Sequence, residues 1–310
     1  MKKVLVAVVF MGLLIGPKAW AADMLGCPKG LPKGTIWPRF TFKYIDATEK
    51  WNSQKDRMVD IKDGTGVMDK EAHKYDFRLG YGLLHNLDIG VNVKYARSKM
   101  EKTAKSGKVS KHDEDAFTYL WLSGKYIFLD LPAQGVLDYF KLSFGGSYGF
   151  ALAKSDRYLL AGLGAGDNQA KVGFLHHGGM FDDLFEFAGH FLYHWRGKAA
   201  EADGFKRSEQ EMADTFDYLF KLERDLGDYI GLSVGIGGWV GLQDDKNLLN
   251  SSGDALRPYS HSVNCGLEIF PMGSLDYEKR KIFAHVALPY YTRAMTAPDY
   301  TLLLGAMWTF

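Results

Sequence analysis

Lys74-Tyr75-Asp76-Phe77-Arg78-Leu79-Gly80-Tyr81 alternates without a break: its odd positions are aromatic or apolar and its even positions are charged or glycine. A period of two is that of a β-strand with two unlike faces. The same pattern returns along the chain. Ile89, Val91, Val93 and Tyr95 share one face, with Gly90, Asn92 and Lys94 on the other. Later, Phe185, Phe187, Phe191, Tyr193 and Trp195 oppose Glu186, His190, His194 and Arg196. A soluble sandwich also has such strands, so no single segment decides. About twelve segments of roughly ten residues do, because that repeat is the mark of strands with one face in lipid and one on a polar interior.

The alternation predicts strands near 35–45, 73–83, 88–99, 115–128, 138–151, 169–181, 185–196, 212–224, 228–241, 258–270, 280–293 and 299–310. Their connections alternate in length. Long polar stretches such as 46–72 and 100–114 are followed by tight turns around His85-Asn86, Asp182-Asp183 and Leu226-Gly227. The turns at Pro132-Ala133-Gln134-Gly135 and Met272-Gly273-Ser274 are longer, and the last loop, near Ala297-Pro298, is short. Bacterial barrels alternate short periplasmic turns with longer extracellular loops. The expected fold is therefore all-β: a transmembrane antiparallel up-and-down β-barrel of about twelve strands, with ten or fourteen compatible with boundary errors of about two to four residues. Leu302, Leu304, Ala306, Trp308 and Phe310 share a face at the end of the sequence, which resembles the C-terminal signal of outer-membrane proteins.

At the other end, Lys2 and Lys3 precede an apolar run from Val4 to Ile15 and the A-x-A site Ala19-Trp20-Ala21. This is the layout of a secretory signal, so residues 1–21 are expected to be removed. A spanning anchor would need about 20 apolar residues, and the run breaks at Gly16-Pro17-Lys18. Met24-Leu25-Gly26-Cys27 loosely resembles a lipobox, but the apolar run stops well before it. Residues 22–33, rich in proline that opposes regular structure, either lie in the periplasm or enter the barrel as a partial plug. Residues 34–310 form the barrel.

Aromatic residues make up 14% of the chain and glycine occurs 35 times, which suits interfacial belts and close strand packing. A formal charge of +1 argues against a nucleic-acid partner. The expected partners are membrane lipids and lipopolysaccharide, the barrel-assembly machinery and a small solute, in the outer membrane of a Gram-negative bacterium. Export would take Cys27 and Cys265 to an oxidising compartment. Yet Cys265 shares its face with Val263, Leu267 and Ile269, towards lipid, so a bridge to Cys27 is not expected.

The same phase assigns side chains to the lumen. The residues expected to line it are Arg39, Lys43, Asp76, Arg78, Lys94, Tyr119, Trp121, Lys125, Glu186, His190, His194, Arg196, Glu268 and Arg293. Lys74, Lys141, Lys171, Lys221 and Lys281 fall on this face too, as do the acids Asp217 and Glu223, so basic groups outnumber acidic ones. Such a lumen either concentrates anions or fills a narrow barrel with salt bridges; the residue types serve both. Trp37, Tyr119, Trp121, Phe283 and Tyr291 add aromatic surface to the inner face, suited to a small apolar or aromatic solute.

Chemistry beyond passage finds little support. His176-His177, and His190 with His194 and Glu186, suggest a metal, but strand neighbours two or four apart rise too far to share one ion. No metal or other cofactor is expected. A hydrolase needs a serine and a histidine base on the same face, whereas Ser260-His261-Ser262 puts neighbours on opposite faces. No catalytic residues are assigned.

Phe77-Arg78-Leu79-Gly80-Tyr81-Gly82-Leu83, then Leu87-Asp88-Ile89-Gly90-Val91, then Gly124-Lys125-Tyr126, resembles outer-membrane transporters of the phenol meta-pathway type. That resemblance implies a barrel admitting small, often aromatic, compounds. The expected function is a passive channel for small solutes, anionic or aromatic. The alternatives are a lipid-modifying or lipid-hydrolysing barrel enzyme, and a structural or adhesive barrel whose long loops do the work.

Overall fold

The structure is a computed structural model; it describes residues 30–52, 54–60, 69–103, 108–153, 168–182, 184–197, 213–271, 280–294 and 296–308. Twelve antiparallel strands close into a barrel. They are β1 (Ile36–Asn52), β2 (Asp69–Leu84), β3 (Leu87–Thr103), β4 (Val109–Gln134), β5 (Leu137–Ala151) and β6 (Gln169–Met180). The second half comprises β7 (Phe185–Trp195), β8 (Thr215–Asp225), β9 (Ile230–Gly241), β10 (Tyr259–Ile269), β11 (Arg280–Arg293) and β12 (Thr296–Trp308). Each strand pairs with its neighbour in sequence, and β12 returns to β1 from Arg39↔Met307 to Lys50↔Thr296. Closure leaves no unpaired edge, which a bilayer would penalise at every exposed N–H and C=O.

Two strands run well past the alternation that predicts them: β1 continues to Asn52, and β4 spans Val109–Gln134. The added lengths at the long-connection end, 46–52 and 109–114, carry polar residues on both faces, so period-two hydropathy does not mark them. Ladders and charge hold them instead. Arg97 meets Asp113 and Lys111 meets Glu101 across the β3–β4 extension, while Arg57–Asp60 pairs with Glu49–Asn52 of β1. At the opposite end the turns are tight. Gly135 and Gly227 adopt φ of 66° and 88°, which a side chain would strain, and let β4–β5 and β8–β9 reverse sharply. Pro132 and Gln134 remain in the ladder, paired with Tyr139 and Leu137, so that turn is shorter than the sequence suggests.

The distribution of side chains is inverted relative to a soluble protein. Phe40, Phe77, Phe144, Phe174, Phe191, Phe220, Ile236, Leu267 and Ile282 stand exposed on the outer wall, whereas Arg78, Lys125, Lys221, Lys281, Glu186, Glu223 and Glu268 are buried within. A water-soluble protein does not expose so large a continuous apolar band. A bilayer gives that band its solvent, so the strands span a membrane.

One irregularity reverses part of the expected phase. Ser262 pairs with Pro289 and His261 with Tyr291, so Tyr290 is an extra residue bulged out of β11. Beyond it the alternation slips by one position. Arg293, expected in the lumen, therefore lies on the outer wall beside Tyr259, and Tyr291 moves outward with it. Cys265 faces outward between Val234 and Val286. Cys27, Phe310 and the expected signal segment, residues 1–21, lie outside the described residues.

Candidate functional site: the lumen

Register brings the basic residues of the first three strands together. Arg39 pairs with Arg78 and Lys43 with Lys74 across β1–β2, with Thr41↔Asp76 between those rows. Asp76 then pairs with Lys94 on β3. Like charges directly opposite one another are unfavourable unless acids or anions share the space. Among the described inward positions of these three strands the acids are Asp76 and Asp88. Asp88 sits nearer the tight-turn end and is engaged elsewhere: its carboxylate meets Lys125 at 3.1 Å, both side chains fully enclosed.

Beside the basic wall stands an aromatic one. Lys94 pairs with Tyr119 and Asn92 with Trp121. The Lys94 ammonium lies 5.3 Å from the centre of the Trp121 ring, and Tyr119 lies 5.7 Å from it. Gly149, opposite Trp121 on β5, makes room: an added Cβ would fall 2.6 Å from the indole. From β7, which does not adjoin β4, His194 reaches Trp121 edge-on at 6.3 Å, so the two side chains meet inside the barrel. His194 is held by Gln169 at 3.0 Å and by Asp217, which also takes Lys171 at 3.3 Å and Thr215 at 2.6 Å. Arg196 follows the end of β7, buried near Asp245, Asp217 and Tyr119, and its backbone N–H donates to Asp214 at 3.1 Å. These groups form one cluster: Lys94, Tyr119, Trp121, His194 and Arg196.

Other inner charges are held in ion pairs. Lys141 pairs with Asp130 at 3.1 Å. Lys221 meets Glu223 and, at 3.8 Å, Glu268; Glu268 also takes Lys281, and His285 at 3.6 Å. Glu186 accepts from Tyr139 at 2.9 Å and lies 3.3 Å from His177. Buried charges without partners would cost several kcal/mol, so this network is the fill of the tight-turn half of the barrel. His190 is buried between its register partners Leu175 and Leu219. Among the described residues no group of His, Cys, Asp or Glu is placed to hold a metal.

The opposite wall carries small side chains towards its tight-turn half and Trp239 nearer the long-connection end. In a ring of twelve, β9 and β10 lie across from β3 and β4. Their inward positions include Gly231, Ser233, Gly235 and Gly237, paired with Glu268, Gly266, Asn264 and Ser262. Small side chains here leave width in the tight-turn half of the barrel.

At the tight-turn end the chain before β1 folds into the mouth. The Leu31 N–H donates to both oxygens of Asp88 at 3.1 and 3.2 Å. Its side chain packs with Trp37, Phe283 and Met307 from three strands. Gly34 donates to the Gly82 carbonyl at 2.7 Å, and Gly82 donates back to Thr35 at 3.0 Å. Gly82 admits this strap because a Cβ would fall 2.9 Å from the Leu31 carbonyl oxygen. Sequence reasoning missed Asp88, Tyr139 and His177. Asp88 was recoverable, since it shares the period-two face of Gly90, Asn92 and Lys94.

No protein-family model matches the sequence. No curated protein matches it. Solved structures do. The COG4313 outer membrane channel from Pseudomonas putida F1 superposes with a TM-score of 0.60 at 13% identity, covering 91% of this chain and 97% of that one. The NanC porin superposes at 0.50 with 5% identity, covering 87% and 98%. At these identities the likeness is one of fold: a membrane-spanning barrel of the same architecture over nearly the whole length.

Proposed function

We propose that the chain is an outer-membrane channel of a Gram-negative bacterium for passive uptake of small solutes, with anionic and aromatic compounds preferred. The observation that carries this reading is the pairing of Arg39 with Arg78, and of Lys43 with Lys74, next to a lysine laid over Trp121. The positive field of this wall favours a carboxylate, and the indole offers an apolar face to the rest of the solute. The reading agrees with the resemblance to phenol meta-pathway transporters, and the name of the Pseudomonas neighbour adds support.

No chemical step belongs to it. A lipid hydrolase would need a nucleophile beside a lipid-facing base, whereas His176 contacts the rings of Phe187, Phe191 and Phe220, and His261 bonds to Tyr218. Residues 30–35 act in this reading as a strap that narrows the periplasmic mouth, after removal of residues 1–21 on export. Single-channel recording in planar bilayers, with reversal potentials across a salt gradient, tests it. Anion-selective openings are expected; cation selectivity or absence of any conductance overturns the proposal.

A further inference from the structure

On the outer wall, at the end of the barrel carrying the longer connections, three rings stack into a shelf. Tyr259 and Tyr291 lie 4.8 Å apart at 22°, and His261 lies 6.1 Å from Tyr291 at 8°. The Tyr290 bulge creates this shelf by turning Tyr291 and Arg293 outward. Across β9, Tyr218 reaches His261 with 2.6 Å between Oη and Nδ1, over Gly238, which is the register partner of both. An added Cβ on Gly238 would sit 3.0 Å from that nitrogen. This contact fixes the plane of the His261 ring within the shelf.

Arg293 crowns the shelf, and the backbone of Arg257 adjoins it. Arg293 lies 4.9 Å from the centre of the Tyr259 ring, and its Nε donates to the Arg257 carbonyl at 2.9 Å. Arg257 has an exposed contact of 3.8 Å with Asp244, too long and too wet to occupy it fully. Below the rings the outward positions are Val263, Cys265, Val286 and Leu288, an aliphatic wall. An ordinary interfacial girdle needs only amphipathic rings. A cation on parallel rings, a second arginine adjoining it and aliphatic side chains below match a molecule with phosphate, sugar and acyl chains in that order.

We propose that this shelf binds a phosphorylated glycolipid of the outer leaflet, its phosphate on Arg257 and Arg293, its sugar on the stacked rings and its acyl chains along Val263 and Leu288. The proposal rests on the reading of the chain as an outer-membrane barrel with its longer connections outside. Protease access to residues 242–258 on intact cells checks that orientation separately. The binding test is native mass spectrometry of the purified full-length protein with bisphosphorylated lipid A, dephosphorylated lipid A or phosphatidylglycerol. Wild-type protein is expected to retain the bisphosphorylated form at least tenfold better than either other lipid. Arg257→Gln/Arg293→Gln removes that preference, whereas Arg224→Gln/Arg280→Gln, at the opposite end, keeps it. If the double variant does not fold, His261→Gln serves, with a several-fold loss expected. Equal retention of the three lipids, or equal loss in both arginine pairs, overturns the proposal.

Discussion

The backbone N–H of Leu31 and the carboxylate of Asp88, 57 residues apart in sequence, are joined by hydrogen bonds to both carboxylate oxygens inside the barrel mouth. The same carboxylate neutralises Lys125, whose side chain is fully enclosed. One residue therefore fixes the strap and satisfies a buried cation. Asp88→Ala would leave Lys125 without its carboxylate partner and free the strap, and breaking such a pair costs about 3–5 kcal/mol. The expected result is a lower unfolding midpoint in denaturant, with larger or noisier single-channel currents in whatever protein folds. Unchanged stability would show that the strap and the pair are incidental.

Gly82 gives a second handle on the strap that leaves the ion pair intact. A side chain there collides with the Pro32 and Leu31 carbonyls, so Gly82→Val should expel the strap while Asp88 and Lys125 remain paired. Conductance should rise, with a smaller loss of stability than in Asp88→Ala. If conductance is the same as in the wild type, the strap does not limit passage.

The ladder was largely legible in the sequence, because lipid outside and polar groups inside impose a strict period of two wherever a strand crosses the membrane. It faded where that asymmetry fades: in the upper parts of β1 and β4, where water meets both faces. The bulge at Tyr290 was invisible for another reason. Tyr290, Tyr291 and Arg293 suit either face of an interfacial strand, so nothing in their hydropathy signals the slip. Of the lumen residues, the charges could be placed but not paired. Which lysine meets which acid depends on neighbours two strands away, as with Lys221 and Glu268.

The terminal strand carries a prediction from sequence. β12 closes the barrel against both β1 and β11, with Trp308 paired to Arg280. Phe310 continues the outward face of Leu304 and Trp308 in the sequence. Phe310→Asp should reduce the amount of heat-modifiable, folded protein in outer-membrane fractions. Wild-type levels would remove the terminal residue from any role in assembly.

The cysteines should stay apart. Cys265 looks outward from β10 between two valines, and a disulfide requires Cα atoms within about 7 Å. Mass spectrometry of air-oxidised protein is expected to find the Cys265 thiol free. A quantitative bridge to Cys27 would place the N-terminal segment on the outer wall, in conflict with the position of Leu31.

Selectivity is the decisive measurement for function. Arg78 and Lys94 flank Asp76, one on the same strand and one across it, and contribute positive charge to the wall that faces the glycines of β9. Replacing both with Gln keeps their length and hydrogen-bonding capacity while removing two charges, and lumen substitutions tune selectivity more than stability. Folding should be retained, and the reversal potential should shift towards zero or towards cation preference. Lys141→Gln, next to Asp130 near the β4–β5 turn, should change it little because that charge is already matched. If the double variant retains the full anion preference of the wild type, the field resides elsewhere. If Lys141→Gln shifts it as far as the double variant does, net charge rather than this wall sets the selectivity.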